Sequence, residues 1–170
     1  MCGIVGAVAQ RNVSQILLEG LSRLEYRGYD SAGICTIDNN TLNCIKTTGK
    51  VKNLKEAVKE KRWPGTIGIA HTRGATHGIP SEVNAHPHIC DNLALVHNGI
   101  IENYQELKDK LIRKGYELYS ETDTEILTKL VDYYYKKYKV GPIDAIAKTM
   151  VRVRGTYALA VMFKDYPDEI

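Results

Sequence analysis

The second residue of this chain is a cysteine. Removal of Met1 leaves Cys2 carrying both a thiol and a free α-amine, a nucleophile and its own base. Cysteine is the most nucleophilic ordinary side chain, and an α-amine of pKa about 7.7–8.0 accepts its proton close to neutral pH. No second residue has to be positioned for that step. The alternative is a small residue buried at the start of a core strand, a common fate of free cysteine. Acyl transfer at such a sulfur builds a tetrahedral oxyanion. Asn98-Gly99, directly after an apolar run, offers that oxygen a side-chain amide and a backbone N–H. The same dipeptide is also the strongest short signal for a β-turn. Arg73 closes another apolar run and can hold a carboxylate through two parallel hydrogen bonds, while Asp123 can pair with an ammonium. Together they would grip the two charges at the α-carbon end of an amino acid and aim its side chain at Cys2. Each has a plainer alternative: a solvated arginine, and a first-turn aspartate stabilised by the helix dipole at about 0.3–1 kcal/mol.

His86, His88 and Cys90 alternate, which on a strand would put all three on one face and suggest a metal. Pro87 argues against a regular strand, and no further ligand pair stands at zinc spacing, so no metal site and no cofactor is predicted. These residues are assigned to loop hydrogen bonding. His71 and His97 read as the polar ends of core strands.

Elements must bring these distant positions together. With 170 residues, 44% hydrophobic and 25% charged, the chain belongs among ordinary globular domains. Residues 1–170 are expected to form one domain. No run approaches the ~18 apolar residues of a membrane span, and no basic segment precedes the first apolar run, so a cytoplasmic location without membrane contact is expected. A net charge of +3, evenly spread, predicts no nucleic-acid partner. Four cysteines without C-x-x-C spacing read as free thiols.

Residues 2–9 suit a strand buried on both faces. Val13, Ile16, Leu17, Leu21 and Leu24 recur at helical spacing behind a capping box of Asn12 and Gln15. Residues 32–37 and 41–48 form a hairpin around Asn39-Asn40. A polar helix over 51–61 ends before Pro64, and a strand spans 66–72. Residues 73–91 lack any period, and so long a connection is expected to be functional. A strand at 93–97 precedes a helix capped by Asn103 and Glu106 and closed by Gly115; a second helix starts at Thr122 and a third covers 142–150. Lys129, Lys136, Lys137 and Lys139 are expected on the solvated side. A last strand runs over 156–163. Pattern alone predicts sheets covered by helices.

Six motifs, M-C-G-I-V-G, Y-R-G-Y-D-S-A-G (26–33), H-T-R-G-A-T-H-G (71–78), N-A-H-P-H (84–88), H-N-G-I-I-E-N (97–103) and S-E-T-D-T-E (120–125), together resemble the class II glutamine amidotransferases. These are N-terminal nucleophile hydrolases. The second and last motifs are similar to the branch that aminates fructose 6-phosphate. The resemblance implies an α+β fold, the four-layer αββα sandwich. It implies L-glutamine as substrate and Cys2 as the residue that forms a γ-glutamyl thioester. Asn98 and Gly99 become the oxyanion hole, Arg73 and Asp123 the holders of the glutamine carboxylate and ammonium, and Thr76 and His77 part of the loop that closes over it. Arg27 supports the nucleophile's terminus. The family has tryptophan where Gly74 stands, a ring that helps gate ammonia, so the departure bears on coupling. The resemblance further implies that the C-terminal part of the glutaminase domain and a sugar-phosphate isomerase half, the partner in full-length relatives, lie outside this chain. Two other readings are an N-terminal nucleophile hydrolase of another amide and a glutamine-binding regulatory module without turnover.

Overall fold

The computed structural model describes residues 2–75 and 78–170; Met1, Thr76 and His77 lie outside the described residues. Seven strands and five helices follow one another there. Strand β1 (Gly3–Val8), helix α1 (Ser14–Leu24), the hairpin of β2 (Ser31–Asp38) and β3 (Thr41–Thr48), helix α2 (Val51–Lys61) and strand β4 (Ile67–Arg73) form the first half. Strands β5 (His88–Cys90) and β6 (Leu93–Ile101), helices α3 (Tyr104–Arg113), α4 (Asp123–Tyr138) and α5 (Pro142–Met150), and strand β7 (Gly155–Phe163) form the second. Antiparallel pairing gives one sheet in the order β1-β4-β2-β3 and another in the order β5-β6-β7.

Side chains alternate across a strand, so each sheet has two faces to bury. Val5, Ala7, Ala32, Ile34 and Ala70 meet Leu17 and Leu21 of α1 and Leu54 and Val58 of α2. Leu93, Leu95 and Val161 meet Leu107 of α3, Leu127, Leu130 and Tyr134 of α4, and Ala145 of α5. Between the sheets lie Cys35, Ile37, Ile67, Ile69, Ala94, Val96 and Met162, with Ile4 against them. Helix layer, two sheets and helix layer give the expected four-layer αββα sandwich.

Four local expectations change. Strand β1 is an edge strand whose Val5 and Ala7 side meets α1 and whose Ile4 meets the inter-sheet layer, while Val8 at its end is 49% exposed. The segment 88–90 does pair, antiparallel to β6, since Pro87 sits just before the strand and no ladder bond needs its missing N–H. Asn103 does not cap α3 through its side chain; Nδ2 donates to Arg152 O at 2.9 Å and Oδ1 accepts from Arg154 N at 2.9 Å, fastening the turn ahead of β7. Lys129 is 8% exposed rather than solvated, because its ammonium meets Glu125 Oε2 at 2.8 Å and the carbonyl of Glu117. Elsewhere the sequence logic holds. Asn39 and Asn40 take φ of 49° and 59°, the left-handed pair that a two-residue hairpin turn needs. Asn12 Oδ1 accepts from Ser14 N at 2.9 Å at the start of α1, and Gly115 follows α3 at φ 89°.

Candidate active site

Widely separated segments of the chain converge on one cavity of about 400 Å³, lined by Cys2, Arg27, Arg73, Asn98, Gly99 and Asp123 among others. Its volume falls in the range of small-molecule sites. Gly3 pairs with Thr72, so Cys2 lies at the register of Arg73 on the neighbouring strand. Its Sγ accepts from Gly74 N–H at 3.3 Å. Asn98-Gly99 is no turn. Both residues continue β6, opposite Ala158 and Tyr157 of β7, and Asn98 Nδ2 donates to Cys2 O at 3.0 Å. Gly99 has φ 131°, and a Cβ there would stand 2.0 Å from Thr156 O, so only glycine permits this close pairing.

Asp123 opens α4, where Thr122 Oγ1 accepts from Glu125 N and caps the helix. The aspartate is 4% exposed, and its Oδ2 accepts from Ile101 N at 3.0 Å, which ties α4 to β6 two residues beyond Gly99. Glu125 Oε2 and Oε1 accept from Tyr119 N at 2.9 Å and Ser120 N at 2.7 Å and fix the approach to the helix. Arg73 is 3% exposed; its guanidinium donates to Ile79 O at 3.3 Å and Gly78 O at 3.4 Å. Burial lowers its pKa from the ordinary value, and Asp30, Cys2 and Asp123 oppose that. Arg27 reaches the cavity from the 3-10 turn Glu25–Arg27 behind α1.

Thr76 and His77, expected in the closing loop, lie outside the described residues. The remaining expected residues all line one cavity. Several others in the motifs also shape it. Asp30 Oδ2 accepts from Ala75 N at 2.5 Å and holds the chain that follows Arg73. Asn84, 1% exposed, donates to Ile79 O at 2.9 Å and accepts from Glu121 N at 2.8 Å. His71, His86 and His88 form a column with ring centroids 4.1 and 5.0 Å apart. Burial pushes the His71 imidazole down to about 3, against the hydrogen bond to Asn98 that raises it, and drives His86 and His88 well below their ordinary value. Burial therefore favours the neutral form of all three rings. His88 engages the Tyr119 hydroxyl through Nδ1 at 3.0 Å and Thr122 Oγ1 through Nε2 at 2.8 Å, so both of its nitrogens serve the α4 cap. Period-two spacing from Arg73 was the available signal for His71, and joint membership of one motif the signal for Asp30.

Residues 71–168 match the family model of the glutamine amidotransferase domain. The chain belongs to the glutamine amidotransferase domain family. It is 52% identical over 170 residues to glutamine–fructose-6-phosphate aminotransferase [isomerizing] of Acinetobacter baylyi, and 53% identical over 173 residues to that of Bacteroides thetaiotaomicron. Both alignments cover 100% of this chain and 28% of the relative, so the chain spans 28% of the length of these curated relatives. In fold it superposes on the glutamine phosphoribosylpyrophosphate amidotransferase of B. subtilis solved with ADP and GMP, with TM-score 0.82, 27% identity, and coverage of 96% of this chain and 35% of that one. This glutamine amidotransferase domain is of class II and has the N-terminal nucleophile hydrolase architecture. Among its described residues no helix is long and apolar enough to cross a membrane.

Proposed function

We propose that this amidotransferase domain hydrolyses the side-chain amide of L-glutamine and releases ammonia through a thioester on Cys2. The observation that carries the reading is the convergence of Cys2, Asn98, Gly99, Arg73 and Asp123 on one cavity. After removal of Met1, the Cys2 α-amine takes the thiol proton and the sulfur attacks the amide carbon. The negative charge that develops on the amide oxygen meets the Asn98 amide and the Gly99 N–H, each worth about 2.7–4 kcal/mol in the transition state. The ammonium so formed gives its proton to the departing ammonia, and water then cleaves the thioester. Arg73 and Asp123 hold the carboxylate and ammonium of the substrate, Arg27 supports the nucleophile's terminus, and Thr76 and His77 belong to the closing loop. A glutamine lacking either α-charge leaves a buried arginine or aspartate unpaired, which makes discrimination steep.

The acceptor we propose is that printed in the relatives' name, fructose 6-phosphate. The domain then supplies ammonia to an aminosugar-phosphate synthase whose sugar-phosphate isomerase half is the partner. Residues 1–170 form the glutaminase portion, with its C-terminal part outside this chain, and the setting is cytoplasmic. Glutamate release from Met1-processed protein, measured beside Cys2→Ala, tests the reading. Turnover should vanish with the thiol. Equal rates refute it, and saturable glutamine binding without turnover supports a regulatory module instead.

A further inference from the structure

Beneath Asn98 lies a histidine to which the proposed mechanism gives no role. His71 is fully buried on β4, and its Nε2 stands 3.0 Å from Asn98 Oδ1. This bond crosses from one sheet to the other. The amide of Asn98 has a second partner, Cys2 O, 3.0 Å from Nδ2. A carbonyl oxygen only accepts, so the NH2 end of the amide must face Cys2 and the oxygen end must face His71. An acceptor oxygen in turn requires a proton on the ring nitrogen it meets. Two ordinary hydrogen bonds therefore place a proton on Nε2, and burial disfavours a second one on Nδ1. The opposite flip would set Asn98 Oδ1 against Cys2 O and bring two acceptors together.

Two further observations agree. His71 Nδ1 is buried and makes no hydrogen bond among the described residues. The His86 ring stacks on His71 at 4.1 Å and 21°. That ring can approach because Gly33 lacks a side chain; a Cβ there would stand 2.0 Å from His86 O.

Resting on the glutaminase reading above, we propose that His71 is a positioning residue for the oxyanion hole. Its Nε2–H holds the Asn98 oxygen, so that one amide hydrogen binds Cys2 O and the other is left aimed at the reacting carbonyl. Without that bond the amide can turn over, presenting its oxygen to the developing oxyanion and replacing attraction by repulsion.

The full Met1-processed chain is compared as wild type, His71→Leu and His71→Gln. Glutaminase kcat and KM are measured, together with the rate at which iodoacetamide alkylates the Cys2 peptide, followed by mass spectrometry. Loss of the ring N–H in His71→Leu should lower kcat by about 10²-fold with KM within about threefold, because the transition state alone uses the oriented amide. Cys2 alkylation should keep its wild-type rate. His71→Gln, which retains an N–H for the same oxygen, should recover kcat to within about tenfold of wild type. An unchanged kcat in His71→Leu overturns the proposal. So does an equal loss in both variants with altered Cys2 alkylation, which marks a merely structural role. Long-range 15N–1H NMR of the wild-type His71 ring at pH 7 decides the assignment without any turnover. A proton on Nε2 supports it and a proton on Nδ1 overturns it. Should the wild type release no glutamate, the glutaminase reading fails while the NMR result still judges the His71–Asn98 bond.

Discussion

Lowering the pH from 8 to 5 should destabilise this fold, by about 2 kcal/mol through His71 alone and further through His86 and His88. His71, His86 and His88 are 0%, 5% and 0% exposed, and burial holds each well below the ordinary imidazole value. The unfolded chain titrates near pH 6.5, so between that pH and the folded values the unfolded state binds protons that the native state refuses. Stability is therefore complete above about pH 6.5 and falls as the pH drops toward the folded values, which for His71 means down to about 3. At pH 5 the His71 ring contributes RT ln(1 + 10^1.5), about 2 kcal/mol, and His86 and His88 add to the loss in the same direction. Carboxylates, with ordinary values near 4, add little above pH 5. Against a total stability of about 5–15 kcal/mol, that is a marked loss, so a lower urea midpoint at pH 5 is expected. Urea titrations at pH 8, 6.5 and 5, followed by Trp63 fluorescence and far-ultraviolet circular dichroism, measure it. A loss below about 2 kcal/mol would refute the reasoning, because the His71 ring would then be protonated or hydrated in the native state. His86→Phe, which removes one ring from the column, should lessen the pH dependence.

Asp123→Asn keeps an oxygen for Ile101 N–H but loses the charge, so kcat/KM for glutamine should fall by about 2–5 kcal/mol while the urea midpoint stays near wild type; an unchanged KM would remove the ammonium from that position. Asn84→Ala frees Ile79 O and Glu121 N from their shared clamp between the Arg73 and Asp123 segments. Its KM for glutamine should rise several-fold at nearly constant kcat, measured by initial rates. Gly33→Ala drives a methyl group into His86 O and should destabilise the fold by about 1–3 kcal/mol or more in urea titrations. Gly99→Ala adds left-handed strain to a clash with Thr156 O, which predicts about 2–6 kcal/mol lost and no glutaminase turnover; a soluble, active variant would contradict the close β6–β7 pairing.

What the sequence discloses depends on the range over which its signals act. The helix over 51–61, the Asn39-Asn40 hairpin and the Thr122 cap rest on contacts within a few residues, and each is found where local chemistry puts it. Asn98-Gly99 carries an equally local signal that points to a turn, and tertiary pairing overrides it: β7 supplies partners for both residues, so the strand runs on. Lys129 fails for a similar reason, because a carboxylate four residues away and a ring from another segment cover what a helical wheel would leave in water. The candidate site was legible as a set of residue types. Its supports Asp30 and His71 were not, since each acts through a hydrogen bond to a residue 45 or 27 positions away.

The meeting of residues so far apart follows from one property of a two-sheet sandwich. Ile67 and Ile69 of β4 and Ala94 and Val96 of β6 fill the layer between the sheets. Continuing each strand by the same period of two gives His71 and Arg73 on one sheet and Asn98 on the other, while two residues before Ile4 on β1 stands Cys2. The cavity is thus the polar end of the dry inter-sheet layer. The apolar stretch, worth roughly 1.5–3 kcal/mol for each large side chain fully buried, fixes the spacing of the sheets. That spacing in turn sets the His71–Asn98 and Asn98–Cys2 distances, 3.0 Å each. One face of the fold therefore does two things along its length, holding the sheets together at one end and registering the reactive groups against each other at the other. A substitution such as Val96→Ala, outside the cavity lining, would loosen the same registry that the oxyanion needs.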